Sequence, residues 1–314
     1  MISLPATVVL SAADWRGKSR AHRERVARHT VPARERKDRG IPHPIADFLF
    51  QYYPFPLSLL ENWQPGTGVA LEWPEDDEGC DGMRPGETGF NSRHYTWLQG
   101  DGNRSAGGQP SLLFADPALL TDKERQRMGW IGDLLAATAS RPPMFSCHGL
   151  HEWAMVYGGR QVRHEKTATL RLPQAEIDAL VSSRPVCCSH HDAFRFFAAE
   201  ARPFNRLQPS LETRMELEQP GCVHANMDLY KWCAKLMPWT GSQLLLDCFE
   251  LAIALRDLDM RASPYDLSAW GCEPVRIETA EGRREYEAEQ KRLAFAAMGL
   301  RARLIGKIGE TLEG

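Results

Sequence analysis

The chain has 314 residues, of which 43% are hydrophobic and 25% charged, with a mean hydropathy of −0.42. That balance suits a globular protein with a sizeable core and excludes a disordered or fibrous chain. No run approaches the about 18 uninterrupted apolar residues of a membrane helix; the best candidate, Leu244 to Leu255, is broken by Asp247 and Glu250, so no membrane partner is expected.

The start, Met1 to Leu10, has no basic residue ahead of its short apolar run, which argues against a signal peptide. With eight cysteines and no Cys-x-x-Cys pair, the expectation is a cytoplasmic protein with reduced thiols. Ser11 with Asp14 three residues on reads as a helix cap, and Pro32 is expected to end that helix or to lie just beyond it. Between Arg16 and Arg39 lie ten basic residues against three acidic ones, although the formal charge of the whole chain is −3. Such a block suits phosphate contacts or a solvated helix face and arm. Residues 1–40 are therefore read as a basic N-terminal helix or arm, and residues 41–314 as a single mainly helical catalytic domain.

Pro44 to Trp63 reads as two short buried helices divided at Pro54 and Pro56. From Pro74 to Ser111 the chain carries eight glycines and an acidic opening, Glu75 to Glu78; one strand is expected at His94 to Leu98. A helix follows Asp116-Pro117 as far as Ser140, where Pro142-Pro143 stops it. Further helices are predicted at Gln174 to Ser182, His224 to Met237, Ser242 to Met260 and Glu281 to Gly309, the last from its three-, four- and sevenfold apolar spacing. The fold class is mainly α with a few short strands (α+β). No pattern bears on oligomeric state.

Between Cys147 and Trp232 one association recurs three times, cysteine beside histidine, then an acid, then an aromatic. The segments are Cys147-His148-Gly149-Leu150-His151-Glu152-Trp153, Cys187-Cys188-Ser189-His190-His191-Asp192-Ala193-Phe194, and Cys222-Val223-His224-Ala225-Asn226-Met227-Asp228-Leu229-Tyr230-Lys231-Trp232. Six of the ten histidines lie between His148 and His224. Helical spacing brings His148, His151 and Glu152 to one face and sets His224 above Asp228. A histidine one turn from a carboxylate forms an acid–base pair or a ligand with its orienting partner.

One reading joins His148 or His151, His190 or His191, and His224 around a zinc or non-haem iron ion, with Glu152, Asp192 or Asp228 as the carboxylate. The spacing differs from the His-Glu-x-x-His zinc helix. The other reading is a ring-binding pocket. Trp153, Tyr157, Tyr230 and Trp232 would stack a nucleobase, and Asp228 would activate water against a glycosidic carbon. The same aromatics at helical spacing also fit a core. Arg195 and Arg261 are candidate anion clamps; Arg261 equally suits pairing with Asp257 or Asp266.

Several strings resemble a bacterial, largely actinobacterial family that carries the label 3-methyladenine DNA glycosylase. They include Gly149-Leu150-His151-Glu152-Trp153-Ala154-Met155-Val156-Tyr157, Asp192-Ala193-Phe194-Arg195-Phe196-Phe197, His224 to Trp232, and Asp259-Met260-Arg261-Ala262-Ser263-Pro264-Tyr265-Asp266. The resemblance runs over most of the chain from about Ser11. It implies hydrolysis of an N-glycosidic bond in alkylated DNA or a related nucleobase compound, with no cofactor. Asp228, Glu152, His151 and His224 would then be catalytic, and Trp153, Tyr157, Arg195, Asn226, Tyr230, Trp232 and Arg261 would contact substrate. Pro65-Gly66-Thr67-Gly68-Val69-Ala70 imitates the hairpin of helix-hairpin-helix glycosylases, yet the residues after it do not start a helix that could hold a phosphate. The alternatives are a metal-dependent enzyme acting on a small molecule, hydrolytic or oxidative, with His148, His151, His190, His191 and His224 as the ligand pool, and a non-enzymatic nucleic-acid-binding protein.

Overall fold

The computed structural model describes residues 8–73, 90, 93–98, 111–159 and 168–314; most of the glycine-rich stretch from Pro74 to Ser111 lies outside the described residues. The fold is mainly α with one small sheet. Strand β1 (Val8–Leu10) leads into helix α1 (Ala12–Asp38), capped as its sequence suggests by the Ser11 hydroxyl, which accepts from the Asp14 N–H at 3.2 Å. Trp15, Ser19, His22, Val26, Thr30 and Ala33 form its buried stripe, the four-and-three spacing of a helix packed along one face.

The helix does not end at Pro32 but runs six residues beyond it, to Asp38. A proline inside a helix removes one backbone hydrogen bond. Contacts across the turn offset that loss: Ala33 is buried, Arg34 pairs with Glu61, and Arg36 with Asp47. Arg25, two turns before Pro32, bridges to Asp247 at 2.9 Å and to Glu250. Part of the basic block therefore docks α1 onto the rest of the protein.

Helices α2 (Phe48–Tyr52) and α3 (Leu57–Glu61) are divided at Pro54 and Pro56 as expected. Strands β2 (Val69–Trp73), β3 (Tyr95–Leu98) and β4 (Ser111–Ala115) complete a sheet in the order β1-β2-β4-β3, parallel between β1 and β2 and antiparallel elsewhere. The hairpin-like Pro65 to Ala70 thus feeds a strand, not a helix. One sheet face holds a small aromatic core in which Trp15 stacks on Trp73 at 5.1 Å between ring centroids.

The main core belongs to helices. Helix α4 (Asp122–Ala139) opens with a reciprocal capping box between Thr121 and Glu124. Short helices α5 (Leu150–Met155), α6 (Gln174–Ser182), α7 (His191–Phe194) and α8 (Arg214–Leu217) lead to α9 (Val223–Lys235), α10 (Ser242–Arg261) and α11 (Ala280–Glu313). Helices α9, α10 and α11 pack on one another, and α4 packs on α11. Helix α9 is buried on nearly all sides, from Val223 to Ala234 with only Lys231 partly exposed. Polar groups on such a helix must find partners inside the protein. Among the described residues no helix is long and apolar enough to cross a membrane.

Candidate metal centre

Four chain segments meet at one buried point, namely the start of α5, the start of α9, the end of α10 and the turn before α7. The local backbone at α5 depends on glycine. Gly149 adopts φ 75°, and a Cβ there would lie 3.2 Å from the Ala262 Cβ and 3.4 Å from the Tyr286 ring. Only glycine takes that conformation without strain. His148, also at positive φ (46°), precedes the helix and so does not share the face of His151 and Glu152. Its Nε2 lies 3.4 Å from Glu287 Oε2, away from the cluster.

His151 and His224 meet edge to face with ring centroids 4.8 Å apart, and His190 stacks on His224 at 5.6 Å. Of the histidines proposed as ligands, His151, His190 and His224 converge. His148 and His191 do not; His191 Nδ1 lies 3.4 Å from the Pro209 carbonyl oxygen.

The carboxylate beside the first pair is Asp259, a residue the ligand assignment from sequence did not include. His151 Nε2 and Asp259 Oδ1 are 2.9 Å apart, on side chains 4% and 0% exposed. Neither atom has a hydrogen-bond partner among the described residues, so they approach closely without the alignment of a donor and acceptor. Donor atoms of His151, His224 and Asp259 all lie within 4.8 Å of one another. Asp259 Oδ2 contacts Arg256 at 3.4 Å, and the same guanidinium donates to Glu152 Oε1 at 3.1 Å. Two carboxylates thus share one arginine, and burial together with Asp259 raises the pKa of Glu152.

Burial pushes His224 down to about 3, with His151 adding to the effect, so its imidazole is neutral, the ligating form. Burial also opposes charge on His151, but Asp259, and after it the Cys147 sulfur, raise its pKa well above the ordinary range. Burial disfavours the Asp259 carboxylate, and His151 outweighs it to hold the group ionised. Cys147 Sγ sits 3.3 Å from His151 Nδ1, so one ring nitrogen is held by sulfur and the other faces Asp259. This arrangement fixes ring orientation as the partners of ligating histidines do.

A cavity of about 20 Å³ opens beside His151 and His224, with Cys147, Cys222, Ser189 and Gln290 in its wall. It has room for about one water molecule. Ser189 Oγ and Gln290 Oε1 are buried without hydrogen-bond partners among the described residues.

A second group, His190, Asp192 and Asp228, also has ligand atoms in reach of one another, but cations already occupy it. Asp228 contacts Lys231 and, at 3.4 Å, Arg214; Asp192 is 3.3 Å from Arg214 and 3.6 Å from Lys231. Tyr53 donates to Asp228 Oδ1 at 2.7 Å. His190 Nε2 is 3.4 Å from both Glu218 and Asp228, outside hydrogen-bond geometry. Burial disfavours the Asp228 carboxylate, yet Lys231 and then His190 hold it far below the usual range. This is a buried ion-pair network.

The other residues singled out from sequence do not gather into a ring slot. Trp153 is fully buried and donates to the Ala262 carbonyl oxygen at 2.8 Å. Tyr230 packs edge-on to Tyr53 and Phe249, and Tyr157 to Phe204. Trp232 is covered by Lys231 and Arg214. Asn226 donates to the Pro220 carbonyl oxygen and accepts from the buried Arg301. Arg195 lies over Phe196 and near Asp192, while Arg261 reaches Glu285 at 3.2 Å and Asp257 at 4.0 Å.

A sequence signal for Asp259 did exist. The buried stripe of α10 runs Leu245, Phe249, Ala252, Arg256, Asp259, placing two charges on a core face, where charge is tolerated only when partnered. Comparison with protein-family models, with curated proteins and with solved structures returned no match.

Proposed function

We propose that this protein is a metal-dependent enzyme, with His151, His224 and Asp259 holding one zinc or iron ion and the adjoining cavity receiving the reacting group of a small polar molecule in a hydrolytic reaction. The observation that carries this reading is the approach of two buried atoms, His151 Nε2 and Asp259 Oδ1, to 2.9 Å without hydrogen-bond alignment to any group among the described residues. Two atoms each about 2.1 Å from a common ion stand about 3.0 Å apart at the right angle of an octahedral site, as in non-haem iron, and about 3.4 Å apart at the tetrahedral angle of zinc. A direct hydrogen bond would have aligned them instead. Two imidazoles and one carboxylate match the ligand sets of catalytic zinc and non-haem iron, which keep a position open for water or substrate. When bound, the ion supplies Lewis acidity and lowers the pKa of nearby water toward about 7.

The remaining chemistry belongs to the chain. Ser189 Oγ offers a donor or an acceptor, and Gln290 Oε1 an acceptor, to whatever occupies the cavity. Cys147 keeps His151 oriented, and Arg256 restrains the charge of Asp259 and Glu152. The seven described cysteines are all unpaired, which supports a reducing, cytoplasmic setting. Elemental analysis of protein purified without chelator tests the reading. About one equivalent of zinc or iron is expected, lost in His224→Ala and Asp259→Asn. Wild-type protein that contains no metal and takes up neither ion on dialysis would refute it.

A further inference from the structure

A larger cavity lies elsewhere in the molecule, lined by residues that do not touch the histidine cluster. It measures about 810 Å³ and is bounded by α1, the β1–β2 edge, the start of α10 and the end of α11, within the size range of small-molecule sites. Leu10, Trp63, Val69 and Leu244 give it an apolar wall. Four cations, Lys18, Arg25, Arg303 and Lys307, face it against one acid, Glu310. Asp247 and Glu250 engage Arg25, Asp247 also engages Arg303, and Lys307 bonds Glu310 and the Thr67 carbonyl oxygen. The balance at the cavity wall remains positive.

Two independent features point to an occupant. The first is the start of α10, a helix of 20 residues with no side-chain cap. Gly241 stands at the cap position with φ 74°, and a Cβ there would come within 2.8 Å of the Pro65 carbonyl oxygen. The Ser242 hydroxyl is already used, accepting from the Gln64 N–H and donating to the Asn62 carbonyl oxygen. Gln243 and Leu244, whose first-turn N–H groups have no side-chain cap among the described residues, line the cavity, and uncapped first-turn N–H groups bind anions. The second is His22, which is 5% exposed and lines the same cavity. Its Nε2–H donates to the Leu60 carbonyl oxygen at 2.7 Å, while Nδ1 has no hydrogen-bond partner among the described residues. A buried acceptor of this kind calls for a donor.

We infer that this cleft binds a small organic phosphate monoester, its phosphate at the start of α10 between Lys18 and Lys307, its body on Trp63, and a polar group beside His22. The site is separate from the metal centre and does not depend on it. The test titrates the full-length protein with AMP, glycerol 3-phosphate, adenosine and inorganic phosphate, following tryptophan fluorescence and heat. Saturable binding of AMP and glycerol 3-phosphate is expected, with adenosine weaker by about tenfold. Gln243→Glu puts a carboxylate in the first helical turn at the loss of the Gln243 amide bond to Asp247 Oδ1; with folding checked by circular dichroism, it should weaken AMP by about tenfold through repulsion. Lys18→Met should weaken AMP by about threefold, and the metal content of both variants should match wild type. Adenosine binding as tightly as AMP, inorganic phosphate binding without either ester, no saturable binding of AMP or glycerol 3-phosphate, or unchanged AMP affinity in Gln243→Glu would each overturn the proposal.

Discussion

Replacing Asp228 by asparagine separates two roles for the residue that sequence placed at the centre of catalysis. In the structure its carboxylate is 1% exposed and faces Lys231, Arg214 and His190, with Tyr53 donating to its other oxygen. Asparagine keeps an acceptor for Tyr53 and nearly the same volume, but removes the charge that neutralises the two cations. Breaking a buried ion pair by removing one partner costs about 3–5 kcal/mol. Here Asp192 and Glu218 remain beside Arg214, and Asp192 beside Lys231, so the loss should be smaller, about 2–3 kcal/mol. For a chain of this size that corresponds to a fall in Tm of roughly 5 °C.

The effect should also depend on pH in a defined direction. The folded-state pKa of Asp228 is depressed, so its contribution is fully present above the unfolded value of about 3.9 and is lost as pH falls through the folded value. The stability gap between wild type and variant should hold steady from about pH 6 to 8 and narrow below about pH 4. Urea unfolding followed by circular dichroism at several pH values measures this gap, with elemental analysis on the same preparations. Metal content should match wild type. A variant as stable as wild type that has lost its metal would refute the reasoning, because Asp228 would then be a ligand in a site at His190 and Asp192, not the anchor of an ion-pair network.

Two further outcomes follow from the same geometry. Cys147→Ala removes the sulfur 3.3 Å from His151 Nδ1 and should weaken zinc binding by about tenfold, as loss of a ligand's orienting partner does; competition with a chromogenic chelator reads it, and an unchanged affinity would show that Cys147 does not orient the ring. Gly149→Ala combines φ 75° with a Cβ 3.2 Å from Ala262 and should cost at least about 1–2 kcal/mol. It should also shift His151 and reduce metal retention, which unfolding curves and elemental analysis on folded protein would detect.

Much of the architecture was legible in the chain because it is governed by local rules. The Ser11 cap, the breaks at Pro54 and Pro56, and the helices α6, α9, α10 and α11, with ends placed to within four residues, follow from capping, proline and helical periodicity, which act over a few residues. Pro32 misled because a local penalty was outweighed by long-range contacts from Ala33, Arg34 and Arg36. Strands β2 and β4 carried no strong local pattern and exist through pairing with each other and with distant partners.

The candidate site divides along the same line. Residue types alone marked His151, His190 and His224 as material for chemistry, since imidazoles near carboxylates are the stock of metal and acid–base sites. Which carboxylate each histidine meets depends on how α5, α9 and α10 cross, and no spacing within one helix carries that information. The i,i+4 pairing of His224 with Asp228 was sound as helix geometry. Tertiary packing instead turned Asp228 toward Lys231 and Arg214, and brought Asp259 to His151 from a helix more than a hundred residues away in the chain. The sequence by itself determined the helices and the reactive residue types, because both are properties of short stretches. Only the tertiary structure decided which of those residues share one buried point, because electrostatic partnership depends on distance in space and not on position along the chain.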